Sequence, residues 1–350
     1  MELKIEIIGF GTVGIGFLEI VNKKIDILKE KFGFIPKIVA ISDKIKGTLF
    51  DEGGIDLSRL LEIINNGGSL KDYGSGFYDF EKKGALDVIK ESNADIMVEM
   101  TYTNIETGEP ATTHIKTALE RGKHIVTSNK GPIALFYKEL KQIADKKNLF
   151  MGIEGTVLSG TPVFNLIEDT LPPNSINSIK GILNGTTNFI LTKMENENMS
   201  YEDALKMAQD LGYAEADPTA DVEGFDALAK VLILSNVIMG GDLKKDNVER
   251  VGITQIKPED IKEAAEEGYR YKLIGSVEKT SDGKILASVK PMKLPLSDPL
   301  SGVSGAMNAL TFTTDLLGSV TIQGPGAGKI ETGFSIMIDI IRIFKKIRSK

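Results

Sequence analysis

Residues 3–16 read LKIEIIGFGTVGIG. The apolar run from Leu3 to Ile8 breaks into Gly9-Phe10-Gly11-Thr12-Val13-Gly14. A helical pattern then follows through Phe17, Ile20, Val21, Ile25 and Leu28. The spacing is G-x-G-x-x-G at the junction of a strand and a helix, and each glycine there has a physical task. Gly9 permits the tight turn, Gly11 lets backbone approach a pyrophosphate, and Gly14 lets the helix pack close to the strand. The helix start at Thr12 and Val13 offers free N–H groups and a positive dipole end to phosphates. A tight turn with no ligand is the bland alternative. Placement on the first strand of the chain favours a dinucleotide.

Strand and helix alternate outward from this stretch. Strands are predicted at Leu3–Ile8, Lys37–Ser42, Ile96–Met100, His124–Thr127 and Leu149–Gly152. Helices are predicted at Pro110–Glu120 and Ile133–Asp145. Such alternation implies a parallel sheet with right-handed crossovers. The glycine-rich stretch Thr48–Gly76 reads as an insertion over the sheet edge. From about Gly155 the texture changes. A β-like run at Ser175–Leu183 and helices at Thr187–Met194, Tyr201–Leu211 and Phe225–Met239 come first. Paired strands over Tyr271–Pro291 turn at Asp282-Gly283, Met307–Ile322 adds more strand, and an amphipathic helix covers Thr332–Ile347. The expected class is α/β: a Rossmann-type parallel sheet domain plus an α+β substrate and dimerisation domain. Its bounds are 1–153 completed by 322–350, with 154–321 between.

Composition narrows the function. The chain has 350 residues and a formal net charge of −7, so nothing suggests a nucleic-acid surface. The basic end, Lys345 to Lys350, closes a helical pattern and suits a helix C-terminus. There is no cysteine, which excludes a thiolate nucleophile, a disulfide or a Cys-zinc site. With only His114 and His124, a multi-histidine metal centre is not expected. No apolar run approaches the ~18 residues of a membrane span, and the start has no signal-peptide layout. A cytoplasmic location is expected.

Asp43 ends the second strand, somewhat further past Gly14 than the ~20 residues usual for the ribose-binding acid. It suits a free ribose 2′-OH and hence NAD. Lys44 and Lys46 suit a 2′-phosphate and hence NADP, and both options stay open. A second cluster spans Gly212 to Lys230, with carboxylates at Glu215, Asp217, Asp221, Glu223 and Asp226. Asp226 and Lys230 are i, i+4 and share one helix face. On the surface such a pair is worth only ~0.3–0.5 kcal/mol. This helix is otherwise nearly all apolar, and a buried lysine beside an acid can give or take a proton. Ser128-Asn129-Lys130 stands at a strand end, where ligands bind in open parallel sheets. The turn Asn184-Gly185-Thr186-Thr187-Asn188 offers N–H groups and hydroxyls to a carboxylate. Gly324-Pro325-Gly326-Ala327-Gly328 exposes backbone before the last helix.

Taken together these segments resemble the homoserine dehydrogenase family. Asn184 to Ile190, then Gly212 to Pro218, then Asp221 to Lys230 match its signature region nearly unbroken. Gly9–Gly16, Ser128–Lys130, Glu154–Val157 and Gly324–Gly328 match in order along the whole chain. The resemblance implies oxidation of L-homoserine to L-aspartate 4-semialdehyde with NAD or NADP, or the reverse, in threonine, methionine and isoleucine biosynthesis. It implies Lys230 as proton donor to the aldehyde oxygen and Asp226 as the group that orients the reaction. Glu215, Thr186 and Lys130 would bind substrate, and Lys130 would be the second active-site lysine. Cofactor contacts would come from Gly9, Gly11, Thr12, Val13, Gly14, Asp43, Lys44, Thr101, Ser128, Lys130, Gly326 and Gly328. A sodium ion would be held by main-chain carbonyls of Glu154, Val157, Ser159 and Thr161.

The resemblance further implies a homodimer joined through a sheet of the middle domain, with strands from Ser175–Leu183 and Tyr271–Pro291. The chain lacks a kinase fusion and a C-terminal regulatory domain, so threonine feedback through such a domain is not expected. Three positions depart from the family pattern. Ser128 stands where alanine is frequent, Lys329 where a small residue is usual, and Gly333 where alanine is common. Lys329 could alter or fill part of the cofactor site. Two other readings compete: a related amino-acid dehydrogenase acting on another small substrate, and a non-catalytic NAD(P)-binding sensor.

Overall fold

The computed structural model describes residues 1–349 and divides the chain into two compact units: Met1–Gly160 with Gly328–Lys350, and Thr161–Ala327. The first unit is built on a seven-stranded sheet. Its strands are β1 (Glu2–Ile8), β2 (Ile35–Asp43), β3 (Gly47–Phe50), β4 (Phe77–Tyr78), β5 (Ile96–Glu99), β6 (His124–Thr127) and β7 (Met151–Gly152), in the order β4-β3-β2-β1-β5-β6-β7. β1 pairs in parallel with β2 and with β5, β5 with β6, and β6 with β7. Ile5, Ile7 and Ile8 are fully buried, as a central parallel strand covered on both faces requires. The stretch read as an insertion extends the sheet instead. β3 runs antiparallel to β2, and β4 antiparallel to β3, with a helix at Leu57–Asn65 between them.

The last helix, Lys329–Arg348, belongs to this first unit. It buries Ile336, Ile340 and Phe344 in one cluster with Phe17, Leu18 and Phe34. Its contact with helix Thr12–Ile27 is close. A Cβ on Gly333 would fall 2.8 Å from the Phe17 amide nitrogen, and one on Gly16 would fall 2.3 Å from the Lys329 carbonyl oxygen. Glycine rather than alanine at 333 therefore follows from backbone approach. Lys345, Lys346 and Arg348 lie exposed in the last turn, where cations complement the dipole.

The second unit carries a six-stranded sheet. Its strands are β8 (Ile176–Ile182), β9 (Glu249–Arg250), β10 (Tyr269–Lys279), β11 (Ile285–Pro295), β12 (Met307–Thr314) and β13 (Ser319–Pro325), in the order β13-β12-β8-β10-β11-β9. β8 lies between β12 and β10 and is antiparallel to both. Ile179, Phe312 and Val277 line up across these strands and are buried. The neighbouring row, Thr321, Thr311, Lys180, Ser276 and Ser288, is polar and at least partly exposed. Three helices escape sequence patterning in this unit, Phe164–Thr170, Thr219–Val222 and Pro258–Glu266. Each is short, and the apolar periodicity of so short a segment is weak.

Candidate active site

In the first unit the glycine turn sits where the sheet order changes direction, between β1 and its neighbours β2 and β5. That is the crevice in which open α/β sheets bind ligands. Gly9 has φ 91°, and a Cβ there would lie 2.6 Å from the Met100 carbonyl and the Thr101 nitrogen. No other residue fits that position without strain. Gly11 differs, because a Cβ there would meet nothing within 4 Å. Open space beside Gly11, at the N-terminus of helix Thr12–Ile27, is what a pyrophosphate needs. At Gly14 a Cβ would press on the Phe10 ring at 3.1 Å and on the Gly9 carbonyl at 3.2 Å. Its small size thus keeps the turn itself compact.

Asp43 is more occupied than the sequence suggests. Its Oδ2 accepts from the Phe10 amide at 2.8 Å, and its Oδ1 accepts from Ile45 and Lys46 amides at 2.9 and 3.0 Å. The carboxylate ties the glycine turn to the end of β2. Lys46 Nζ donates to the Phe10 carbonyl at 2.7 Å, which tethers it, whereas Lys44 is exposed. The Thr101 hydroxyl and amide both donate to the buried Glu99 carboxylate, which also meets His114 Nδ1 at 2.7 Å. Asn129, absent from the expected site residues, joins two strand ends. Its Nδ2 donates to the Thr101 carbonyl at 3.0 Å, its amide to Thr127 Oγ1 at 2.9 Å, and its Oδ1 accepts from the Gly131 amide. Ser128 precedes this cap and Lys130 follows it, opening helix Lys130–Lys146 half-buried. Lys329 Nζ pairs with Glu19 of helix Thr12–Ile27 at 2.7 Å.

In the second unit the buried lysine is confirmed. Lys230 is 6% exposed, and its Nζ lies 2.8 Å from Asp226 Oδ2 and 2.5 Å from the Leu183 carbonyl oxygen. Asn184 stands beside them. Its Oδ1 caps helix Gly185–Glu197 by accepting from the Thr187 amide. Its Nδ2 donates to Asp221 Oδ1 at 2.6 Å and to Asp226 Oδ2 at 3.1 Å. One side chain therefore ends a strand, starts a helix and holds two carboxylates. Burial, reinforced by the charge of Asp226, raises the Asp221 carboxyl above the ordinary range, while Asn184, Lys230 and Thr186 oppose it. Asp221 and Asn184 were legible only as parts of motifs.

Thr186 donates to the Tyr213 carbonyl at 2.7 Å, which anchors the loop leading to Glu215. Glu215 itself is exposed, and its carboxylate makes no hydrogen bond or ion pair among the described residues. The structure does not bring it into the Lys230 cluster. Gly326 packs against the Asn308 amide, and Gly328 opens the last helix at φ 145°. Glu154, Val157 and Ser159 lie on the loop that ends the first unit, and Thr161 is the first residue of the second. Among the described residues no group of three or more His, Cys, Asp or Glu could hold a metal, and no helix is long and apolar enough to cross a membrane.

A dinucleotide-type turn on a parallel sheet in one unit, and a buried acid–lysine pair in the other, define a nucleotide-dependent oxidoreductase of the Rossmann class. The comparisons agree and are specific. The homoserine dehydrogenase family model matches residues 162–341. The NAD(+)-dependent homoserine dehydrogenase of Pseudomonas canavaninivorans is 43% identical over 100% of this chain and 98% of that protein. A solved structure from Archaeoglobus fulgidus, also assigned to homoserine dehydrogenase, superposes with TM-score 0.86 at 38% identity, covering 98% of this chain and 99% of the other. A hyperthermophilic archaeal homoserine dehydrogenase in complex with NADPH gives TM-score 0.84 at 34% identity over 99% and 98% of the two chains. The chain belongs to the homoserine dehydrogenase family.

Proposed function

We propose that the chain interconverts L-homoserine and L-aspartate 4-semialdehyde with NAD or NADP, using Lys230 as proton donor. The observation that carries this is the Lys230 ammonium, buried and held at once by Asp226 and the Leu183 carbonyl. An ammonium has three N–H donors. Two are committed here, which leaves one for a substrate oxygen. When bound, the nicotinamide supplies or accepts the hydride at the substrate carbon. In the reducing direction the aldehyde oxygen gains negative charge, and the Lys230 N–H neutralises it by transferring a proton. In the oxidising direction neutral Lys230 takes the hydroxyl proton. Asp226 keeps the ammonium in place, its Oδ2 2.8 Å from Nζ.

The remaining roles are part of the same proposal. Gly9, Gly11, Gly14 and the Thr12 and Val13 amides hold the pyrophosphate. Asp43 and Lys44 meet the adenine ribose, Thr101, Ser128 and Lys130 flank the nicotinamide side, and Gly326 and Gly328 close around the cofactor. Lys130, Glu215 and Thr186 bind substrate. Carbonyls of Glu154, Val157, Ser159 and Thr161 hold a sodium ion, and titrating activity with sodium against potassium tests that. A homodimer through the second sheet belongs to the same reading, which light scattering in solution checks. A cytoplasmic location belongs to the same reading and is checked by cell fractionation.

The deciding assay offers homoserine with NAD and NADP in parallel, beside other small hydroxy amino acids. Homoserine-dependent cofactor reduction is expected. Turnover confined to another amino acid would reassign the substrate, and cofactor binding without any turnover would make the protein a sensor.

A further inference from the structure

We propose that Asn308 is a positioning residue for Lys230, acting through the carbonyl of Leu183, and that Gly326 lacks a side chain to seat the Asn308 amide. The inference rests on the reading of Lys230 as proton donor.

Asn308 lies on β12 and is fully buried. Its Nδ2 donates to the Leu183 carbonyl oxygen at 2.9 Å, the same oxygen that accepts from Lys230 Nζ at 2.5 Å. A carbonyl has two lone pairs, and here both donors are known. The bond from Asn308 fixes where the C=O points, and so where its second lone pair holds the ammonium. Once Asp226 and Leu183 each take one N–H, the direction of the third is no longer free. Rotating the Leu183 carbonyl would turn that N–H away from the substrate oxygen.

Two further facts set Asn308 apart from an ordinary core residue. Its Oδ1 is buried without a hydrogen-bond partner, which is costly for a residue kept only for packing. The donor end of the amide is thus the part with a task. In addition, a Cβ on Gly326 would fall 2.1 Å from Asn308 Nδ2 and 2.2 Å from its Cγ. The loop backbone lies flat on the amide, and any side chain at 326 would push it off the Leu183 carbonyl.

The test is a double-mutant cycle on the full chain, with thermal melts and steady-state kinetics. Asn308→Ala and Gly326→Ala should each lower kcat at least tenfold, and in Asn308→Ala the KM for the nicotinamide cofactor should change little. The alkaline limb of the pH–kcat profile should move in both. In the Asn308→Ala background the methyl at 326 has room, so Gly326→Ala should lower kcat no further. If Asn308→Ala fails to fold, Gly326→Ala alone must show the loss in kcat and the moved pH limb. A lower melting temperature with kcat and pH profile intact would overturn the proposal. So would a fall in kcat from Gly326→Ala that recurs in full in the Asn308→Ala background, since the methyl would then act without the Asn308 amide. Lys230→Ala separates the two levels. Near-normal kcat there removes the proton-donor reading, whereas a dead Lys230→Ala beside an unaffected Asn308→Ala removes only the positioning role.

Discussion

Asp226 and Lys230 stand one helical turn apart, with Oδ2 and Nζ 2.8 Å from each other in the buried part of helix Phe225–Ile238. An exposed pair with this spacing would matter little. Here the ammonium is withdrawn from water, and the acid fixes its position. Lys230→Ala should keep the fold and the cofactor affinity while kcat falls by roughly 10²–10⁴-fold, the usual cost of losing a general acid. Normal kcat in Lys230→Ala together with a dead Lys130→Ala would exchange the two roles.

The glycine turn makes a paired prediction. Gly11→Val meets open space and no backbone strain, so it should fold with a near-normal melting temperature and lose NAD(P) binding. Gly9→Ala should do the opposite first, since positive φ and contacts at 2.6 Å make it destabilising. Calorimetric titration of NAD(P) into folded Gly11→Val decides it, and unchanged affinity would move the pyrophosphate elsewhere.

Glu215 is exposed, and its carboxylate makes no hydrogen bond or ion pair among the described residues. Glu215→Gln should therefore leave the melting temperature unaltered and raise KM for homoserine. A change in cofactor KM instead would assign Glu215 to the other half of the reaction.

Lys272 carries a pH prediction. It is 2% exposed and donates to the Val303 carbonyl at 2.6 Å and Asn188 Oδ1 at 3.1 Å. Burial lowers its pKa to about 8, with Glu195 opposing and Arg270 adding to the effect. In the unfolded chain the lysine holds its proton to about pH 10.4. Between these values unfolding takes up a proton, so stability from this group rises with pH; below about 8 the burial cost is borne in full. Relative to Lys272→Met, the wild type should gain up to about 3 kcal/mol between about pH 7 and about pH 10.5. A stability difference that is flat across that range in denaturant melts would refute the assignment.

Much of the molecule was legible without coordinates because its signals are local. The strand at Leu3–Ile8, the turn at Gly9–Gly14 and the helix bearing Asp226 and Lys230 depend on periodicity and short spacing. Each falls where expected within a residue or two. The hairpin around Asp282-Gly283 forms as expected, but its strands run on to Tyr269 and Pro295, beyond the expected Tyr271 and Pro291. Segments with weak periodicity, such as Phe164–Thr170 and the short strands β3 and β4, were missed or misread. Their stability comes from what they pack on rather than from their own pattern.

What the sequence by itself determined is the class of fold, the nucleotide turn and the acid–lysine pair, since each is written in residues a few positions apart. Only the tertiary structure decided how those groups are held. Asp43 closes on Phe10 33 residues away, Lys123 reaches Glu6 across 117, and Asn308 meets the Leu183 carbonyl across 125. Those partners are set by which strand ends the sheets bring side by side. A buried polar group must find its hydrogen bond wherever the fold places one, and chain spacing carries no record of that choice.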